Sequence, residues 1–209
     1  QWFAPHQTDW PQNFEHFGFP LMTSSESLGG PVGNFIIESG KRSIVVWTAG
    51  AANLAANDFV AKAKVVTKQM GIRSIIVDAS AETPRVEGDV LMIKSVPLQP
   101  VLSRSHAVVH HGGIGTAANA LNEGVPQLIF PGMGDQFDNA YRMEKLGVAA
   151  DLPAKKRSVE NIKKSLSEIL GSKPMSAASG TYKTVMRIET QRIGFAEWAQ
   201  HQLRGQEMV

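Results

Sequence analysis

Short apolar runs rich in β-branched residues alternate along this chain with segments of helical periodicity. The first run is SIVVWTA at 43–49, and residues 54–70 then place Phe59, Ala63, Val66 and Met70 at helical spacing before Gly71. Further runs at 72–78, 90–93, 107–110 and 126–130 lack strict alternation, which is typical of parallel strands covered on both faces. This order predicts an open, doubly wound, Rossmann-like α/β fold with helices on both faces of a parallel sheet.

Glycines follow the later helical segments. Helices are predicted at 116–122, 138–146 and 158–170, and Gly124, Gly147 and Gly171 are each expected to end one of them in the left-handed conformation. After Pro174 the pattern predicts helix to the end of the chain, through Trp198 and Leu203.

Composition divides the 209 residues into three parts. Residues 1–42 are aromatic, then rich in Pro, Gly and Ser, which indicates a linker followed by a surface excursion, with or without a short helix at residues 35–37. The ordered core is predicted to begin at Ser43, with one α/β domain over 43–172 and carboxyl-terminal helices over 173–209. The aromatic start without an initiator Met suggests a piece of a longer protein.

Charge and cysteine content exclude several function classes. The net charge of +2 is too small to hold a nucleic-acid backbone by bulk charge, so no nucleic-acid partner is expected. The absence of cysteine excludes disulfides, a thiol nucleophile and cysteine-ligated metals, and favours the cytoplasm. The longest apolar runs fall far short of the roughly 18 residues of a membrane span.

Residues 107–140 are the most informative stretch for function. A predicted strand ends at His110, three glycines (112, 113 and 115) form a turn, and Thr116 is predicted to begin a helix. Such a turn brings backbone N–H groups and the positive end of the helix dipole close to an anion. A phosphate or diphosphate is the natural ligand, with His111 and Thr116 as donors; the alternative is a tight turn without a ligand.

Three further loops are predicted at the same carboxyl edge of the sheet. Asp135 and Gln136 follow the next strand and are suited to paired sugar hydroxyls; the alternative is that Asp135 or Asp138 only caps the following helix, which is the expectation for Asp138. Thr48 and Gly50 follow the first strand. In the segment 95–102, two prolines predict an extended backbone. This backbone, which includes Pro97 and Leu98, is expected to pair with the edge of a nucleotide base.

Two alternatives remain open from the residues alone. The candidate metal ligands are His106, His110 and His111. The first two are four residues apart but fall on a strand and its entry, not on a helix, and no third ligand is suitably spaced from them, so no metal is expected. Residues 113–118 also fit G-x-G-x-x-A, with Asp135 twenty residues beyond Gly115, as in NAD(P)-binding oxidoreductases. Against the oxidoreductase, this loop follows a late strand and no substrate domain is evident.

Four segments between residues 96 and 148 occur in order: VVHHGGIGTAANAL, GVPQLIFP, DQFDNA and LGV. They resemble the donor-site motif of nucleotide-sugar glycosyltransferases of the GT-B fold, which include UDP-glycosyltransferases, sterol glucosyltransferases and bacterial macrolide- and rhamnolipid-type enzymes. More weakly, the first 21 residues resemble the segment joining the two GT-B halves, and SIVVWTAGAA resembles the start of the second half. The resemblance implies that this chain is the carboxyl-terminal, donor-binding domain.

The resemblance assigns roles to individual residues. It implies that the donor diphosphate meets His111, Gly113, Gly115 and Thr116, with Thr48 and Gly50 beneath the phosphates. It implies that the sugar hydroxyls meet Asp135 and Gln136. The nucleotide base is implied to lie against Pro97 and Leu98. Three positions depart from the family pattern: Ser95 stands where a stacking tryptophan is frequent, Asn119 where plant members have an acidic ribose ligand, and Ala51 where Ser or Thr is common.

The implied chemistry is inverting, metal-independent transfer of a hexose from a UDP- or dTDP-sugar to an acceptor hydroxyl, with no cofactor besides the donor substrate. The acceptor site and the catalytic base belong to an amino-terminal domain that this chain lacks, so the chain alone is expected to be inactive. His6 and His16 are expected at the surface, and no catalytic residue is assigned. A donor-binding subunit that acts with a separate acceptor-domain partner is a further possibility.

Overall fold

The computed structural model describes residues 2–11, 18–19, 21, 28–50, 56–190 and 200. Its strands are β1 (Ile44–Thr48), β2 (Arg73–Val77), β3 (Arg85–Glu87), β4 (Val90–Ile93), β5 (Ala107–His110), β6 (Gln127–Ile129) and β7 (Ala149–Asp151). Its helices are α1 (Gly30–Ile37), α2 (Ala56–Met70), α3 (Leu98–Leu102), α4 (Ile114–Glu123), α5 (Gln136–Lys145), α6 (Val159–Gly171) and α7 (Lys173–Thr190), with a 3-10 turn at Ala154–Lys156.

The strands form one sheet in the order β3-β4-β2-β1-β5-β6-β7. Every pairing is parallel except that of β3 with β4. The central strand β1 is buried along its whole length, as its unbroken apolar sequence predicts. Val45 and Trp47 pack with residues of α2 and α6, whereas Ile44 and Val46 pack with residues of α1, α3 and α4. The predicted doubly wound α/β fold with helices on both faces is confirmed.

The segment before β1 belongs to the core, contrary to the predicted surface excursion. Helix α1 buries Val32 and Phe35, and the guanidinium of Arg73 lies 3.8 Å from the centre of the Phe35 ring. The prediction that the ordered core begins at Ser43 is therefore wrong, because the apolar residues at 32–36 cover one face of the sheet. The division into parts at 1–42, 43–172 and 173–209 stays a prediction.

The segment after β4 is helical, not extended. Pro97 precedes α3 and Pro100 lies in its first turn, where the missing N–H of proline costs no helical hydrogen bond. Burial of Val101 and Leu102 against the sheet stabilises the short helix. The predicted extended backbone at residues 98–102 is therefore wrong.

The predicted helix ends are correct at two of three glycines. Gly124 and Gly147 adopt φ of 70° and 71°, but Gly171 is the last residue of α6 and Ser172 follows as its cap. The sequence also missed β3 and β7, whose three residues are too few to show a periodicity. Helix α7 is described to Thr190, so the predicted helix through Trp198 and Leu203 lies outside the described residues except at residue 200.

The first residues pack on the carboxyl-terminal helix. Trp2 and Phe3 form edge contacts with Phe19, and the Trp2 indole N–H donates to Glu189 Oε1 at 2.6 Å. His6 in this segment is exposed, and His16 lies outside the described residues. Within the part of the chain that the structure describes, no helix is both long and apolar enough to cross a bilayer.

Candidate functional site

Three loops meet where adjacent parallel strands end. Thr48 of β1 pairs with His110 of β5, and His110 pairs with Ile129 of β6. The loops at 49–50, 111–113 and 130–135 therefore leave the sheet side by side at its carboxyl edge. Ligands of open parallel sheets bind at this edge.

The imidazole of His111 fits between two glycines from different loops. A Cβ built on Gly50 would lie 2.5 Å from His111 Cε1, and one built on Gly113 would collide with Nε2 of the same ring. Gly50 also adopts φ of 77°, a conformation that favours glycine. The two glycines thus make the space in which the ring lies.

His111 is half-buried at this edge, and its Nδ1 is buried without a hydrogen bond of standard geometry among the described residues. Burial lowers the pKa of His111, while the Thr48 backbone and the Asp135 carboxylate act in the opposite direction. An anion bound beside the ring would favour the protonated, donating form.

We predict that Gly50→Ala displaces the His111 ring. Gly88 is the matched control, because it adopts φ of 58° and has open space around its Cβ position. Both substitutions are expected to cost about 1 kcal/mol of stability from the backbone conformation, but only Gly50→Ala should shift the His111 ring resonances in NMR spectra. Unchanged His111 resonances in Gly50→Ala would contradict this placement of the ring.

Helix α4 begins at the glycine turn, two residues earlier than predicted. Its first residue is Ile114. The cap residue before it is Gly113, which has no side chain that could bond to the first N–H groups of the helix. The first-turn N–H groups, including those of Gly115 and Thr116, have no earlier helical carbonyl to bind. Thr116 is half-buried in that turn, and Asn119, one turn on, donates its amide to the Gly115 carbonyl at 2.8 Å.

A buried histidine shapes the turn. His110 is fully buried, and its Nδ1 accepts the Gly112 N–H at 3.1 Å, while its Nε2 lies 2.9 Å from Gln127 Oε1. This pattern assigns the neutral tautomer with its proton on Nε2. Burial lowers the pKa of His110 to about 4, despite the opposing hydrogen bond that His110 donates to Gln127. The sequence indicated His110 as a strand end and a candidate metal ligand, and gave no sign of this role.

Asn139 is a second residue that sequence analysis missed. Its side chain is buried, and its Nδ2 donates to the Gly112 carbonyl at 3.0 Å and to Asp135 Oδ2 at 2.9 Å. The available signal was its position in DQFDNA, one helical turn after Asp135 on the same face of the helix.

Asp135 and Gln136 begin α5 with different roles. Asp135 is exposed at the cap position, and its Oδ2 accepts a hydrogen bond from Asn139. The Gln136 Oε1 accepts the N–H groups of Gly132 and Met133 at 2.9 and 3.2 Å, so this oxygen holds the preceding loop. Asp138 lies inside the first turn of α5, and its carboxylate pairs with Arg142 at 2.6 Å. The prediction that Asp138 caps the helix is therefore wrong.

Arg157 supports the same loop from the other side. Its Nη2 donates to the Pro131 carbonyl at 2.7 Å and its Nε to the Leu152 carbonyl at 2.8 Å. Its guanidinium also lies 5.0 Å from the centre of the Phe130 ring. The loop that carries Asp135 is therefore held at both ends before any ligand binds.

The predicted base segment lies at the same edge but farther along the sheet. β2 and β1 separate β4, which precedes Pro97 and Leu98, from β5. Both residues are half-buried, and Leu98 packs against the cluster beneath α3. Pro97 is the cap residue of α3 and has no backbone N–H, and Leu98 begins the helix, so the predicted pairing of this backbone with a base edge is not supported.

The histidines considered as metal ligands have other partners. His106 Nδ1 accepts the Ile44 N–H at 3.1 Å, and both His110 nitrogens are engaged as described above. No three His, Asp or Glu side chains converge on one point within residues 2–11, 28–50, 56–190 and the few others described.

Comparison with known proteins gives matches across most of the chain. Residues 67–191 match the family model described as "Erythromycin biosynthesis protein CIII-like, C-terminal domain". The aklavinone 7-beta-L-rhodosaminyltransferase of Streptomyces galilaeus is 37% identical over 45% of this chain and 21% of its own length. The sterol 3-beta-glucosyltransferase of Leptosphaeria maculans is 29% identical over 83% of this chain and 13% of its own length.

Solved structures show the same fold at lower identity. The spinosyn rhamnosyltransferase SpnG superposes with a TM-score of 0.72 at 21% identity, covering 94% of this chain and 53% of that one. The calicheamicin glycosyltransferase CalG4 gives 0.69 at 16% identity, with 81% and 45% covered. This chain therefore spans about half the length of those structures and a smaller share of the curated relatives. Together with the family match over residues 67–191, these likenesses show that the chain belongs to the EryCIII-like C-terminal domain family, the carboxyl-terminal half of the GT-B glycosyltransferase fold.

Proposed function

We propose that this chain is the donor-binding domain of a glycosyltransferase that takes a UDP- or dTDP-hexose. One observation carries the proposal: the half-buried His111 ring and the start of α4, which has no side-chain cap, lie at one sheet edge. A donor diphosphate would accept hydrogen bonds from the first-turn N–H groups of α4 and from His111. Thr116 would add a hydroxyl, and Thr48 and Gly50 would lie beneath the phosphates.

The sugar and the nucleoside would extend in opposite directions from that diphosphate. Asp135 and Gln136 follow β6, on one side of β5, and would meet the sugar hydroxyls. Pro97 and Leu98 follow β4, on the other side, and would lie against the base, with Asn119 near the ribose. For the base, two structural neighbours were solved with thymidine diphosphate, and one relative is named a TDP-daunosamine transferase. These likenesses support dTDP beside UDP.

The reaction would be a direct displacement with inversion. The acceptor oxygen forms a bond to the anomeric carbon while the bond from that carbon to the diphosphate oxygen breaks, and the acceptor proton passes to a base. Negative charge grows on the departing diphosphate, where His111 and the dipole of α4 would stabilise it without a metal ion. The base and the acceptor site would belong to an amino-terminal domain of the same protein or to a partner subunit.

Ligand titration in the absence of added metal tests this proposal. The purified chain is mixed in parallel with UDP, dTDP, UDP-glucose and NAD, and thermal unfolding is recorded. A ligand at 100 times its Kd adds roughly 2.7 kcal/mol of stability. We expect stabilisation by UDP or dTDP compounds. Stabilisation by NAD alone would favour the oxidoreductase alternative, and no response to any ligand would contradict donor binding by this chain.

Two substitutions separate the diphosphate and sugar sites. His111→Ala is expected to weaken UDP or dTDP binding about tenfold, because a hydrogen bond to a charged group is lost. Asp135→Ala should spare the free nucleotide and reduce discrimination among nucleotide sugars. His6→Ala, at an exposed position, is the control. Isothermal titration that finds parental affinities in both variants would contradict the assigned roles.

A further inference from the structure

We infer that Asn139 is a positioning residue that couples recognition of the sugar to the loop that holds the diphosphate. The inference rests on the proposed function and extends it to a residue that does not itself touch the donor. It predicts that sugar discrimination depends on the Asn139 amide as strongly as on the Asp135 carboxylate.

The amide nitrogen of Asn139 has two protons, and both are committed. One is donated to the Gly112 carbonyl at 3.0 Å and the other to Asp135 Oδ2 at 2.9 Å. The Asn139 side chain is only 6% exposed, so water cannot readily replace either bond. The two acceptors belong to different loops, one after β5 and the other after β6.

Each bond orients a group of the proposed site. Both peptide units that flank Gly112 are held, since its N–H donates to His110 Nδ1 and the carbonyl of the Gly112–Gly113 peptide accepts from Asn139. The next residue, Gly113, caps α4, so the orientation of this peptide sets where the first-turn N–H groups point. At the other end, Asn139 holds Oδ2 of the exposed Asp135 carboxylate, so Oδ1 would be the oxygen that meets a sugar hydroxyl.

This arrangement differs from a residue that only fills the core. Asn122, in α4, is also buried, but its amide donates to the side chain of the adjacent Glu123. Asn139 connects two site loops that share no other side-chain link among the hydrogen bonds of the described residues. Because a satisfied buried amide is costly to remove, the link also prevents the two loops from moving independently.

The test measures Kd for UDP and for UDP-glucose, or for the dTDP pair if the parent prefers it. The variants are Asn139→Ala, Asp135→Ala, the double variant, and Asn122→Ala as the matched control. We expect Asn139→Ala to weaken nucleotide-sugar binding about tenfold and to reduce the affinity ratio of sugar-bearing to free nucleotide as much as Asp135→Ala does. The double variant should have the same ratio of sugar-bearing to free nucleotide affinity as Asn139→Ala alone, because both substitutions break the same hydrogen bond between Asn139 and Asp135.

Asn139→Asp is measured in parallel, because it keeps the side-chain volume if Asn139→Ala folds poorly. It removes both donated protons and places a carboxylate beside Asp135, so the ratio should again fall. If folded Asn139 variants weaken free nucleotide and nucleotide sugar equally, or if the two single changes add in the double variant, the inference is overturned. A parent chain that binds neither ligand would overturn the proposed function and this inference with it.

Discussion

Gly112→Ala is expected to lower the free energy of unfolding by about 3 kcal/mol. Gly112 adopts φ of 93°, where an L side chain costs roughly 1–2 kcal/mol. A Cβ there would also lie 3.0 Å from the Gln136 carbonyl oxygen and from Ile129 Cγ2, contacts that require the β6 strand or the start of α5 to shift. Overpacking of this kind adds typically about 1–3 kcal/mol.

Gly134→Ala separates the two contributions. Gly134 adopts φ of 54°, and a Cβ at this position has open space around it, so only the backbone cost of roughly 1–2 kcal/mol applies. Urea unfolding of both variants and the parent measures the difference. Equal losses of stability in Gly112→Ala and Gly134→Ala would show that the turn at Gly112 is less tightly packed than described.

Preferential protonation of His110 in the unfolded chain is expected to lower the free energy of unfolding by about 3 kcal/mol as the pH is lowered from 7 to 4. The folded-state pKa of His110, about 4, lies below its unfolded value of 6.5. The unfolded chain therefore binds a proton that the folded chain does not, once the pH falls below 6.5. The contribution is fully present above pH 6.5 and is lost progressively down to pH 4, at about 1.36 kcal/mol per pKa unit.

His110→Asn isolates this effect from the carboxyl groups that titrate in the same range. Asparagine keeps an acceptor near the Gly112 N–H but does not titrate, so the variant should be less stable at pH 7 and should lose less stability between pH 6.5 and 4. His6→Ala, at an exposed position, should follow the parent curve. A parallel pH dependence of the parent and His110→Asn would show that His110 is not held neutral by burial.

The order of strands and helices could be predicted because each element carries its own local pattern. The unbroken apolar run of β1 predicted a strand covered on both faces, and the helix period of residues 54–70 predicted α2. That His111, the glycine turn and Asp135 lie at one edge of the sheet followed from the parallel order alone. Gly124 and Gly147 marked helix ends because glycine readily adopts the left-handed conformation.

Elements whose conformation depends on distant contacts could not be predicted. Phe35 and Leu102 hold α1 and α3 through burial against the sheet, and no local pattern at 28–42 or 95–102 indicated that burial. The edge strands β3 and β7 exist because a neighbouring strand offers hydrogen bonds, which a three-residue segment does not reveal.

The sequence by itself determined the fold class and which loops form the candidate site, because strand and helix periodicity and glycine placement are local properties. Only the tertiary structure decided how the site is held: His110 on Gly112, Asn139 between Gly112 and Asp135, and His111 between Gly50 and Gly113. These contacts join residues 2 to 61 positions apart, and the shorter separations become contacts only after β5 and β6 pair. Hydrogen-bond geometry between loops depends on that pairing, so it is absent from any local pattern.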